Sequence, residues 1–123
     1  MSCYCDYEPA QFYWARTPKA RKQYRCYDCD GKIDPGERYE RVTGKWDYGI
    51  DVFVTCERCV NLRVWVRNNV PCFCYMHGGL DETAREAIDD AYDRAPEEVV
   101  GLRFGYLRRK LMRDKHNRRV AND

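Results

Sequence analysis

Two Cys-x-x-Cys pairs, Cys26/Cys29 and Cys56/Cys59, bracket residues 30–55 of a 123-residue chain, and no other feature restricts the fold as much. A Cys-x-x-Cys turn brings two thiolates to one ion, and a second such turn closes a tetrahedron with Zn–S bonds near ~2.3 Å. A chain of this length buries a modest core, so a metal staple would supply a large share of its folding free energy. The spacing therefore predicts a structural zinc site at Cys26, Cys29, Cys56 and Cys59.

The chain has eight cysteines. The other four form two Cys-x-Cys pairs, Cys3/Cys5 and Cys72/Cys74, and they are expected to share a second structural zinc ion. That ion would clamp the aromatic N-terminal segment onto the stretch "PCFCYMH" at 71–77. His77, three residues beyond Cys74, is either a neighbour that hydrogen-bonds the site or an alternative ligand in place of one cysteine. Sites of four thiolates leave no open position for water and are structural rather than catalytic. The start "MSCYCDYEPA" has neither a basic stretch nor an apolar stretch of the secretory kind, and no apolar run is long enough for a membrane span. A reducing, cytoplasmic setting is expected, which favours ligation over disulfides.

Along the chain, residues 1–25 show no clear period and read as an extended arm over the core. "CDGKIDPGERY" carries turn chemistry, and "ERYERVT" and "IDVFVT" read as strands of a hairpin closed by "GKWDYG". "ERCVNLRVWVRNN" reads as a helix stopped by Pro71. From Asp81, placed as the cap, Leu80, Ala84, Ala87, Ile88, Ala91 and Tyr92 share one helical face. A third helix is expected from Pro96 with a stripe of Val100, Phe104, Leu107 and Leu111, fraying over "HNRRVAND".

"CYDCDGKI" has the form of a knuckle, and "TCERCVNLRVWV" puts two cysteines at a helix start, where backbone N–H groups stabilise thiolate charge. Knuckle, hairpin and helix in this order resemble the treble-clef zinc fingers, including LIM and RING-like modules, over residues 24–70. The resemblance implies a small, zinc-stapled α+β fold, a treble-clef hairpin and helix with a C-terminal two-helix extension. Residues 1–79 would form the double-zinc part, and residues 80–123 would pack on it. "CYDCDGKIDPGERYERVTG" also resembles a run in small zinc-binding proteins of bacteriophages and prophages.

Function is less constrained. Residues 1–100 hold 14 Lys/Arg against 18 Asp/Glu, whereas residues 101–123 hold 8 against 2, within a net charge of +2. The basic cluster Arg103, Arg108, Arg109, Lys110, Arg113, Lys115, Arg118 and Arg119 is the candidate partner surface. Tyr4, Tyr7, Tyr13, Trp14, Tyr24, Tyr27, Tyr39, Trp46 and Tyr48 are expected either as interface anchors or as packing around the metal sites. With no phosphate loop, nucleophile elbow or triad, the expectation is a non-enzymatic binding protein. Taken with the phage resemblance, it would engage and inhibit or redirect a host protein such as a defence effector or transcription factor. The alternative is nucleic-acid binding through the basic helix. A second alternative, an HNH-like nuclease, finds only "KHNRR" and two histidines to support it.

Overall fold

The computed structural model describes Cys5 and residues 10–121; Cys3 and its expected place at the second zinc lie outside the described residues. Five strands precede three helices: β1 (Phe12–Arg16), β2 (Tyr24–Arg25), β3 (Lys32–Ile33), β4 (Tyr39–Trp46), β5 (Gly49–Cys56), α1 (Glu57–Asn69), α2 (Leu80–Arg94) and α3 (Leu102–Ala121). The protein is a small α+β structure with a cysteine cluster at its centre.

The expected hairpin is β4–β5, antiparallel from Tyr39 opposite Cys56 to Trp46 opposite Gly49. Gly49 sits at φ +132°, in the region where a side chain is strained, and so makes the turn tight. One face of the hairpin buries Val42, Phe53 and Thr55. On the same face Glu40 takes two hydrogen bonds from Arg63 of α1, one of them 2.8 Å long. The arm differs from its expectation in part. Residues 12–16 form β1, an antiparallel edge strand on β4. All five residues of β1 are exposed, so no inward–outward alternation marked it in the sequence.

The helices show four further differences. α2 starts at Leu80 with Gly79 at the cap position, which has no side chain to bond the helix start; Asp81 turns instead toward α3. The helix expected from Pro96 begins at Leu102, after Gly101 at φ +79°. It then runs through "HNRRV" to Ala121 rather than fraying. The expected stripe of Val100, Phe104, Leu107 and Leu111 faces solvent, while Leu102, Tyr106 and Arg113 face inward. Gly105 explains the close approach of α3 to α1, because a Cβ there would meet the Trp65 ring at 2.9 Å. Arg109 then lies over that ring at 4.4 Å, a cation–π contact that fixes one side of α3.

A single contiguous core joins the two halves of the chain. Cys26, Ile33, Cys56, Cys59, Leu62 and Val66 pack with Leu80, Ala84, Ile88, Ala91, Leu102 and Tyr106.

Candidate metal centre

Cys26 and Cys29 come from the turn that links β2 to β3. Cys26 N–H donates to the Gly31 carbonyl and Asp30 N–H to the Cys26 carbonyl, each at 2.9 Å, with Asp30 in the left-handed region at φ 58°. A Cβ on Gly31 would meet the Asn117 amide of α3 at 2.6 Å, so the glycine leaves room for that side chain to reach Cys29. Cys56 and Cys59 come from the start of α1. Cys56 is the N-cap residue, and its Sγ accepts from Cys59 N–H, as a cap should satisfy an otherwise unpaired helical donor.

The four sulfurs lie within 4.8 Å of one another, and Cys29 and Cys56 Sγ are 3.7 Å apart. A tetrahedron with ~2.3 Å metal–sulfur bonds has an edge of about 3.8 Å, so the spacing fits one ion. The donors around the cluster fit thiolates too. Gly31 N–H donates to Cys29 Sγ at 3.4 Å, Cys56 N–H to Cys26 Sγ at 3.3 Å, and Cys59 N–H to Cys56 Sγ at 3.4 Å. α3 adds Asn117 Nδ2 to Cys29 Sγ at 3.3 Å and Arg113 Nη1 to Cys59 Sγ at 3.5 Å. These donors and the guanidinium offset part of the negative charge of four thiolates.

Without a cation the sulfurs cannot all ionise. Contact with Cys26, then Cys56 and Cys59, holds Cys29 far below the usual thiol range. The Cys26 and Cys29 sulfurs push Cys56 and Cys59 far above it. A divalent ion removes this conflict. Cys26, Cys56 and Cys59 are buried and Cys29 is half-buried, so the cluster lies largely inside the fold.

Arg113 therefore belongs to the core rather than to the basic surface, with its side chain only 4 % exposed. Its Nη2 donates to Asp81 Oδ2 at 2.7 Å and its Nη1 to Asp81 Oδ1 at 3.1 Å. Tyr106 Oη donates to the same carboxylate at 2.8 Å. Burial alone would raise the Asp81 pKa, but the Arg113 and Tyr106 hydrogen bonds outweigh it and hold the carboxyl below its usual range. The sequence offered no signal for this ion pair, which links α2, α3 and the cluster.

At the second set, Cys5, Cys72 and Cys74 also have sulfurs within 4.8 Å of one another, and Cys72 and Cys74 Sγ are 3.9 Å apart. The convergence was expected; the oxidation state was not. Cys5 and Cys74 are joined by a disulfide across 69 residues, and Cys72 is disulfide-bonded as well. Once reduced, the same sulfurs could hold an ion. Either way the set ties Cys5 to the segment after α1.

His77 stands outside this sulfur group. Its ring stacks on Phe53 with centroids 4.6 Å apart and planes 5° apart. Its Nε2 lies 2.9 Å from Tyr13 Oη and its Nδ1 3.2 Å from Tyr75 Oη. Tyr75 Oη donates its proton to Asp28 Oδ2 at 2.6 Å, so Nδ1–H is the donor to Tyr75, and Nε2 accepts from Tyr13. Burial, and then the nearby Arg63 charge, lower the His77 pKa, which agrees with this neutral tautomer. Asp28, from the Cys26–Cys29 turn, also accepts from Gly78 N–H at 2.8 Å and Leu80 N–H at 3.1 Å. It thereby caps α2 from a distance, a role that local sequence could not reveal.

The basic cluster is divided by the fold. Arg103 pairs with Asp89 at 3.2 Å, Lys110 approaches Asp81 at 3.9 Å, Arg109 covers Trp65, and Arg113 is buried. Arg108, Lys115, Arg118 and Arg119 are exposed and form no ion pair among the described residues. No described helix is long and apolar enough to cross a membrane. Comparison of the chain with family models, with curated proteins and with solved structures gives no match.

Proposed function

We propose that this chain is a non-enzymatic binding protein built on a treble-clef scaffold, in which structural zinc at Cys26, Cys29, Cys56 and Cys59 holds a rigid surface for a protein partner. The observation that carries the reading is the closed character of the first cluster. Four sulfurs at tetrahedral spacing are surrounded by N–H donors from the turn, α1 and α3. Such a site stabilises a fold and leaves no coordination position for chemistry. Turn, hairpin and helix-start ligands in that order support the treble-clef assignment. A second zinc at Cys5, Cys72 and Cys74, with Cys3 as the fourth ligand, would act as a clamp once the sulfurs are reduced.

The phage resemblance supports a host protein as the partner, such as a defence effector or a transcription factor, which binding would inhibit or redirect. The exposed Arg108, Lys115, Arg118 and Arg119 favour a second reading, nucleic-acid binding through α3.

Truncating α3 cannot separate the two readings, because the helix supplies Arg113 and Asn117 to the cluster. The test uses the full chain and an Arg108→Glu, Lys115→Glu, Arg118→Glu, Arg119→Glu variant. Affinity capture from host lysate is expected to recover a protein, with no DNA or RNA retained at low salt. Retention of nucleic acid that the variant loses would put the second reading first.

A further inference from the structure

α3 carries apolar residues on both of its sides. Leu102, Tyr106 and Arg113 recur at one face and are buried in the core. At 3.6 residues per turn, Phe104, Leu107 and Leu111 fall on the opposite face. They are 72 %, 51 % and 53 % exposed, and Val100, in the turn just before the helix, is 82 % exposed and extends the patch. Charge flanks this stripe unevenly. Arg108, Lys115 and Arg119 line one side, and the single carboxylate of the helix, Asp114, is taken up by Arg113 at 3.0 Å. A surface helix in a protein of this size ordinarily keeps its outer face polar, and a sustained apolar stripe marks an interaction site.

The charges decide which partner fits. Pairing two copies of α3 would set Arg108, Lys115 and Arg119 against the same cations of the other copy, with no free carboxylate to relieve them. A polyanion such as a nucleic acid would suit the cations but would leave the apolar stripe against phosphates. A partner with an apolar seam bordered by carboxylates satisfies both features.

We infer that the outward face of α3 docks an acidic amphipathic helix of a partner protein, with Phe104, Leu107 and Leu111 filling its seam and Arg108, Lys115 and Arg119 pairing with its Glu and Asp side chains. The inference rests on the binding-module reading above and specifies its surface and its partner.

The probe is a labelled synthetic helix with Leu at positions i, i+3, i+7 and i+10 and Glu on both flanks, titrated with the full metal-loaded chain by fluorescence anisotropy. Saturable binding is expected, weaker by about tenfold or more for Phe104→Ser with Leu107→Ser, a loss of the size expected for removing central apolar anchors. Binding should also weaken several-fold as salt rises, and Arg108→Glu with Lys115→Glu should switch preference to a Lys-flanked version of the same peptide. These side chains are exposed, so far-UV circular dichroism and metal content should match the parent and exclude unfolding as the cause.

Equal binding of Glu- and Lys-flanked peptides would overturn the inference, as would binding untouched by the Phe104 and Leu107 changes or no binding at all. Dimerisation that Phe104→Ser abolishes would assign the stripe to a second copy, and oligonucleotide binding lost with that change would assign it to nucleic acid; both results also overturn it. The wider reading fails differently. If the stripe variant still captures a host protein, the module reading stands and only this surface is wrong. If the parent chain captures none, the module reading falls whatever the peptide does.

Discussion

The two cysteine sets are built in opposite ways. At Cys26, Cys29, Cys56 and Cys59, each pair sits in a local structure that would turn its sulfurs inward without help. One pair lies in a hydrogen-bonded turn and the other in the first turn of α1, and α3 adds two more donors from a distance. Cys5, Cys72 and Cys74 lie in irregular segments, and a disulfide joins Cys5 to Cys74. The first cluster is preorganised by the fold and is the centre of its core. The second is a tie between a segment and the body. Both draw on paired cysteines of the sequence, and at the first the backbone and α3 donate to the sulfurs.

That contrast yields predictions of decreasing size. Cys56→Ser removes a thiolate ligand while keeping a side-chain oxygen that can cap α1. It is expected to lose the metal and with it stability on the order of 10 kcal/mol, read as loss of cooperative unfolding by circular dichroism. Arg113→Met leaves the Asp81 carboxylate without its main partner and Cys59 without a donor. The expected loss is about 2–3 kcal/mol, reduced from the fully buried case because Asp81 stays partly solvated. Chemical denaturation should show it, and Lys at position 113 should recover only part.

Cys74→Ser is expected to cost about 2 kcal/mol and to act locally. Hydrogen exchange should rise around residues 10–16 and 72–77 while α1, α2 and α3 stay protected. If the helices lost protection equally, the two sets would not differ as described. Gly105→Ala forces the Trp65 ring to move and should lower stability by about 1–2 kcal/mol, visible as a shift in the Trp65 fluorescence.

The smallest effect is pH-dependent. The pKa of His77 lies below its usual 6.5, so the unfolded chain takes up the proton first. Its contribution to stability is complete above about pH 6.5 and declines as pH falls from there to the folded value. An NMR titration of His77 should give a midpoint below 6.5, and a midpoint above it would contradict the neutral, doubly bonded ring.

Much of this was legible in the sequence, for reasons that can be named. The first cluster was readable because Cys-x-x-Cys spacing and its turn and helix contexts are local signals. The hairpin was readable from strand alternation and glycine placement, and α1 from its helix formers and the stop at Pro71. β1 was not, because an exposed edge strand has no alternation to detect. α3 misled because its apolar stripe resembles a core face, whereas the true inward side is held by Gly105, Tyr106 and a charged Arg113. Burial of that arginine depends on Asp81 and Cys59, 32 and 54 residues away, and no local pattern encodes such a partner. Asp28 was hidden in the same way, since its acceptors' donors lie at Tyr75, Gly78 and Leu80.

Native mass spectrometry of the reduced full chain, with elemental analysis, tests the central claim most directly. The account predicts two zinc ions per parent chain, one in Cys74→Ser, and a first ion that persists until the Cys26, Cys29, Cys56 and Cys59 set is disrupted. A folded, reduced chain that carries no metal at those four cysteines would contradict it.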